Sequence, residues 1–465
     1  MTSSDDIAAL SATELLEHFR RRTVSPVEAA RAALARIETL NSTFNGFCFV
    51  APDDTLAMAR ASEARWRRGE PLGLVDGVPT AVKDQWPVEG WPTRRGSCTT
   101  TDAASPDDCP AAARLREHGA VFVGKTTCCE FSWKGVTDSP LTGISRNPWD
   151  PSKTCGGSSG GAAIATALRL AALNLGSDGG GSIRMPAGFC GIFGLKPTYG
   201  RVPAWPLSAA PTTSHTGPMT RTVADAALML TVMSEPDPRD WLALPPQKID
   251  FRDGLEAGVA GLRIAYSATL GHAKVDPEIA DTVAAAAQVF ADLGAQVEAR
   301  DPGFANPQDV FEMFFFTGMA ATLDGIPAAR HGEIDPGYLR CAALGRRFSG
   351  IDLIKGWGAR DALGRHMNGF HQQFDLLLTP GLPLPAFAAG IEFPPDRGCR
   401  SWFDWSPFCF PFNFTQQPAA SVPCGFTAAG LPVALQIVGP RYREDLVLRA
   451  SRAYEAVHPF KLPPR

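Results

Sequence analysis

Residues 155–184 read CGGSSGGAAIATALRLAALNLGSDGGGSIR, with glycine clusters at 156–161 and 176–181 and a helical and a strand pattern between them. Glycine clusters put backbone N–H groups where no side chain obstructs them, which suits a pocket for an anion or a developing oxyanion. Three glycines directly before Ser182 let the chain turn sharply and aim two or three N–H groups at one point. Ser182 is therefore a candidate nucleophile whose attack would create the oxyanion beside those donors. One such loop alone reads more readily as a flexible loop or a phosphate cradle. Two of them flanking a helix and a strand point to a built site on an α/β scaffold.

The alternation continues outward. Val78-Pro-Thr-Ala-Val82 reads as a strand, and so does Val121-Phe-Val123 after a helix at 111–117; further strand signals fall at 174–176, 262–266, 376–379 and 435–438. Two helices are expected at the N-terminal end. Ser11-Ala-Thr-Glu14 has capping-box form before Leu15, Leu16 and Phe19, and Ser25-Pro26-Val-Glu28 repeats it with Ala29, Ala33 and Ile37 following at helical spacing. The segment 238–400 is less regular and richer in aromatic runs. The expected organisation is one domain over 1–465: a helical segment to about 70, a catalytic core over about 71–237, a substrate-shaping region over about 238–400, then a final strand–helix part.

Of the 465 residues 45% are hydrophobic and 20% charged, and 44 Lys and Arg against 48 Asp and Glu give a net charge of −4. That is enough apolar matter for a large core, without the basic stripe of a nucleic-acid-binding protein. The most apolar helical pattern, 162–175, is interrupted by Arg169 and is too short to cross a membrane. Met1-Thr-Ser-Ser-Asp-Asp lacks the basic start and apolar run of a signal peptide. Eleven cysteines, an odd number without framework spacing, read as reduced thiols, hence a cytoplasmic protein.

A serine nucleophile needs a base. Of eight histidines, His215 sits in a Ser/Thr-rich loop, and His366 and His371 lie five apart on a helical pattern, off the spacing of a metal pair. Each reads as a surface or core residue. The Gly-x-Ser-x-Gly elbow is absent around Ser182. Lysine is the other option, because desolvation strips a buried ammonium of its charge. Lys83, which closes the apolar strand 78–82, is the lysine best placed to enter a dry interior. Gly119-Ala-Val-Phe-Val-Gly124-Lys125-Thr126 fits the Walker A expression, but its apolar run reads as a buried strand, not a pliant phosphate loop. No Gly-x-Gly-x-x-Gly, Cys-x-x-Cys or His-Glu-x-x-His occurs at these sites, so neither a cofactor nor a metal is expected.

Gly77-Val-Pro-Thr-Ala-Val-Lys83-Asp84, Gly156-Gly-Ser-Ser-Gly-Gly161, Gly176-Ser-Asp-Gly-Gly-Gly-Ser-Ile-Arg184 and Gly191-Ile-Phe-Gly-Leu-Lys-Pro-Thr-Tyr-Gly200 closely resemble the amidase signature family. The resemblance continues in Trp133-Lys-Gly, Arg146-Asn-Pro-Trp149, Asp375-Leu-Leu-Leu-Thr-Pro380 and Pro418-Ala-Ala-Ser-Val-Pro423, and is weakest over 238–374. It implies an α/β fold, a large central mixed sheet with helices on both faces, and a Ser–cisSer–Lys triad. Ser182 would be the nucleophile, Ser158 the bridging serine in a cis peptide and Lys83 the base. Ser158 precedes Ser182 by 24 positions, the family spacing, which selects it over Ser159. Backbone N–H groups of Gly179, Gly180, Gly181 and Ser182 would form the oxyanion hole. Asp178 and Arg184 are expected to brace the loop as an ion pair.

The chain departs from the commonest family pattern at Gly179, where a side chain is usual, and at Cys128-Cys129, where relatives often carry Asn and Pro. That second stretch borders the acyl pocket in the family, making Cys129 and Ser132 candidate substrate neighbours. Met313 and Phe314 are further candidates, from the aromatic run 311–316; Trp402–Phe410 is as aromatic. Such walls favour aryl or alkyl groups over a charged amino-acid side chain. The expected activity is hydrolysis of uncharged amides, with carbamates open to the same chemistry. Its rivals are the glutaminase subunit of a tRNA-dependent amidotransferase and a non-catalytic binding protein on the same scaffold. The expected partner is a small-molecule substrate, with no nucleic acid or membrane, and the state a monomer or, by family analogy, a homodimer.

Overall fold

The computed structural model describes residues 4–463; the first three residues of the polar N-terminal stretch lie outside them. The strands are β1 (Phe47–Val50), β2 (Pro79–Lys83), β3 (Val121–Thr126), the short hairpin β4 (Asp138–Ser139) and β5 (Gly143–Ile144), β6 (Leu173–Asp178), β7 (Phe193–Lys196), β8 (His215–Thr220), β9 (Arg263–Tyr266), β10 (Gln296–Ala299), β11 (Leu376–Pro380), β12 (Ala419–Phe426) and β13 (Pro432–Val438). All except the hairpin join one sheet in the order β1-β3-β2-β6-β8-β7-β12-β13-β11-β9-β10. The sheet is mixed. β3, β2 and β6 run parallel to one another, as do β11, β9 and β10, and the strands between pair antiparallel.

Period-2 alternation sorts the side chains onto two faces. Val78 and Val82 of the β2 segment pack with Leu115, Leu173 and Leu228 on one face. Ala81 packs on the other with Val123, Ile164 and Ala187, under the helices Pro26–Phe44, Gly160–Ala167 and Arg184–Cys190. Lys83 follows Ala81 by two positions and so takes this second face. At the same end of the sheet the parallel strands β3, β2 and β6 finish at Thr126, Lys83 and Asp178. The crevice beyond the carboxyl ends of parallel strands is where α/β proteins build their sites.

Both expected N-terminal helices form, over Ala12–Arg21 and Pro26–Phe44, each with its capping box closed. Two more, Ser4–Ala9 and Pro52–Arg68, accompany them. The apolar pattern 162–175 is not one helix: the helix ends at Ala167, Arg169 adopts a left-handed turn (φ 60°), and the chain enters β6 at Leu173. The Walker-like stretch is the buried strand β3. The region 238–400 is more regular than its sequence suggests, holding β9, β10 and the helices Pro277–Asp292, Gln308–Asp324 and Gly350–Phe370.

Candidate active site

Lys83 is fully buried at the end of β2, and its Nζ lies 2.6 Å from Ser158 Oγ and 2.8 Å from Ser177 Oγ. The Gly157–Ser158 peptide is cis. Burial lowers Lys83 to about 8. Thiolates at Cys128 and Cys129 would hold the ammonium, but burial raises both thiols, Cys129 to about 12, so they stay neutral. Lysine is thus poised between its two states near neutral pH, as a general base requires.

The loop that presents Ser158 is clamped by Thr137, whose hydroxyl donates to Gly156 O (2.8 Å) and accepts from Gly160 N–H (3.1 Å). Ser159 ties the same loop to β6, donating to Ser177 O and accepting from Ser177 N–H, while its own N–H donates to Ser182 O at 3.1 Å. That committed role explains why Ser158, not its neighbour, meets the lysine. Ser158, Ser177 and Ser182 line one cavity of about 310 Å³. Ser182 Oγ makes no hydrogen bond to Ser158 in this structure.

The Ser182 turn is held by buried polar contacts. Asp178 and Arg184 form the expected ion pair, bidentate and fully buried: Arg184 Nη2 lies 2.9 Å from Asp178 Oδ1 and Nε 3.0 Å from Oδ2. Burial alone would raise the Asp178 carboxyl, but the guanidinium holds it well below the usual carboxylate range. Arg184 Nη1 also donates to Cys409 O and Gln436 Oε1, and Asn413 bridges Arg184 and Asp178. One expectation changes here. Gly181 N–H donates to Asp178 Oδ1 at 2.7 Å, so it is not a free oxyanion donor. The N–H groups of Gly179, Gly180 and Ser182 have no protein acceptor among the described residues. Gly181 itself sits at φ 130°, where a Cβ would come within 2.6 Å of Cys409 Cβ; no larger residue fits this turn.

The cavity wall corrects three of the four proposed substrate neighbours. Ser132 lines it, and donates to Gln85 Oε1 at 3.1 Å. Cys129 lies behind the wall, fully buried, with its sulfur against the Lys134 backbone. Met313 packs on Gly356, and Phe314 stacks edge-on with Trp357 and Phe414. The helix Gln308–Asp324 turns 100° per residue, so Phe315, Met319 and Thr322, at i, i+4 and i+7, face the cavity instead. Phe131, Trp133 and Tyr338 complete the aromatic side.

Sequence reading also missed Ser177 and Thr137. Ser177 stands in the quoted stretch beside Asp178, but its contact with the lysine depends on the pairing of β6 with β2, which the sequence does not state; Thr137 carried no signal. None of the eight histidines lines the cavity. His215 opens β8 instead of lying in a loop, and burial pushes it far below the imidazole range, while His371 falls to about 4 and bonds Gln417. No group of three or more metal-ligating side chains occurs among the described residues, nor is any helix there long and apolar enough to cross a membrane.

The family model described as Amidase matches residues 28–448. An acylamidase of Rhodococcus erythropolis is 35% identical over 464 residues, 97% of this chain and 96% of that one. The A-type subunit of the glutamyl-tRNA(Gln) amidotransferase of Gloeobacter violaceus is also 35% identical, over 93% of each chain. The crystal structure of a bacterial aryl acylamidase superposes with a TM-score of 0.90 at 31% identity, covering 97% of this chain and 96% of that one. With the mixed sheet, the buried lysine on the cis serine and this match along nearly the whole length, the chain belongs to the amidase signature family of hydrolases.

Proposed function

We propose that the chain hydrolyses amides uncharged about the scissile bond and carrying aryl or alkyl groups, with carbamates as further substrates, through an acyl-enzyme on Ser182. The observation that carries this reading is the contact of Lys83 Nζ with Ser158 Oγ at 2.6 Å in a dry interior, opening on the cavity that Ser182 shares. Neutral Lys83 takes the proton of Ser158, which takes that of Ser182 as its oxygen adds to the carbonyl carbon. Hydrogen bonds of this kind lengthen in unliganded sites and close in the substrate complex. Gly179, Gly180 and Ser182 N–H groups receive the oxyanion, in place of the wider set that includes Gly181. The relay then reverses: the proton returns through Ser158 to the leaving nitrogen, which must be protonated to depart. Water, deprotonated by the same path, frees the acid.

Rings from Phe131, Trp133, Phe315 and Tyr338 support an apolar acyl or aryl body. Relatives named acylamidase and aryl acylamidase agree with this. A glutaminase would need a carboxylate for the substrate's ammonium, and neither Asp nor Glu lines the cavity. A panel of anilides, aliphatic amides and aryl carbamates beside glutamine tests the assignment. Release of arylamine is expected; turnover of glutamine alone would overturn it.

A further inference from the structure

One cation in the cavity has no task in this chemistry. Arg95 is the single charged side chain among the lining residues. Its neighbour Arg94 is tied down, donating to Thr100 Oγ1 at 3.0 Å and pairing with Asp102. The Arg95 guanidinium has no hydrogen bond or ion pair among the described residues. The carboxylate whose field it feels, Asp84, uses Oδ1 for Lys125 at 3.3 Å and for Arg94 N–H at 3.2 Å, and its Oδ2 has no hydrogen bond to the Arg95 guanidinium or to any other described residue.

The backbone holds this arginine in place. Arg95 is left-handed (φ 52°), its N–H donating to Asp84 O at 3.2 Å and its carbonyl accepting Phe131 N–H at 2.8 Å. Phe131 (φ 47°) and Ser132 (φ 61°) are left-handed as well, and all three line the cavity. Non-glycine residues in that region persist where the surroundings enforce them, and they gather at ligand sites. Gln85, which lines the same cavity, accepts the Ser132 hydroxyl through Oε1, and its amide N–H groups have no acceptor among the described residues. The wall of this one cavity thus includes a guanidinium and an amide whose donors no protein group receives among the described residues, a pair of groups that suits a carboxylate.

We infer that Arg95, assisted by Gln85, forms a carboxylate subsite, so that the substrate is an amide bearing an acidic group on its acyl or amine part. This rests on the amidohydrolase reading above and narrows it: the scissile bond is flanked by rings, and the charge elsewhere on the molecule meets the one arginine that the aromatic segments did not reveal.

The test is a series of ω-carboxyalkanoyl anilides and N-acyl aminobenzoates, each paired with the analogue in which an alcohol replaces the acid, with arylamine release as readout. At least one acid is expected to exceed its neutral partner tenfold or more in kcat/KM, mainly through KM. Arg95→Met should lower that acid-to-neutral ratio at least tenfold, and Arg95→Lys should give an intermediate ratio. Binding of the preferred acid and its partner to Ser182→Ala protein, measured by calorimetry, should show the same preference without turnover. Neutral anilides cleaved as well as every acid, or a preference that survives Arg95→Met, would refute the subsite and leave the amidohydrolase reading standing. Absence of all turnover, with no phosphonate labelling of Ser182, would remove both.

Discussion

The pH dependence of acylation tests the proposed base most directly. Burial places Lys83 at about 8 instead of the usual 10.5, a shift corresponding to roughly 3 kcal/mol against the charged form. Only the neutral amine can accept the Ser158 proton. Its fraction is about 1% at pH 6, about 10% at pH 7 and about half at pH 8. For a substrate without ionisable groups, kcat/KM should therefore rise about 50-fold from pH 6 to 8, and only about twofold more by pH 10. A lysine with an ordinary pKa would instead gain about 75-fold over that second interval. Neighbouring groups do not confuse the reading: Asp178 titrates far below this window and Cys129 at about 12. The assay is initial-rate arylamine release in overlapping buffers at constant ionic strength. Lys83→Ala should reduce kcat/KM by about 10² to 10⁴ and flatten the profile. Continued steep rise above pH 9, or the same limb without the lysine, would refute the argument.

Other consequences can be checked in the same preparations. Ser182→Ala should lower turnover by at least about 10³ with an unchanged unfolding midpoint, and a fluorophosphonate should add to Ser182, as peptide mass mapping would show; adduct at Ser159 would contradict the assignment. Ser177→Ala removes one of the two hydroxyls on Lys83 Nζ, and a loss of about fivefold in kcat, with a shifted pH midpoint, is expected from about 1 kcal/mol. Asp178→Asn leaves Arg184 buried without its counter-charge, so urea unfolding should show about 3–5 kcal/mol of lost stability. Phe315→Ala should change the relative kcat/KM of aryl and alkyl amides. Phe314→Ala, one residue away but turned to Trp357 and Phe414, should instead lower stability by about 2–3 kcal/mol and spare that ratio.

The legible parts of the molecule were those set by local chemistry. Capping boxes at Ser11 and Ser25 forecast helix starts because the cap satisfies backbone donors within one turn. Lys83 was found because a strand with apolar residues on both faces has no wet side on which to end. Glycines before Ser182 announced the turn, yet not that Asp178 would claim the Gly181 N–H, since that depends on Arg184 drawing the carboxylate beneath the turn. Met313 and Phe314 were misplaced because an aromatic run gives no helical phase; the packing of Gly356 and Trp357 decides it. Arg95 and Thr137 had no local signal: Thr137 takes its contacts from Gly156 and Gly160, and Arg95 its backbone setting from Asp84 and Phe131, all brought to them only by the fold.

The bracing of the Ser182 turn has a consequence for biosynthesis. Arg184 is anchored by Cys409 O, Asn413 and Gln436, all more than 220 positions downstream. A nascent polypeptide that has exposed every residue of the proposed relay still lacks those anchors until the last strands leave the ribosome. The bracing of the nucleophile turn would thus be completed only after the C-terminal strands are made.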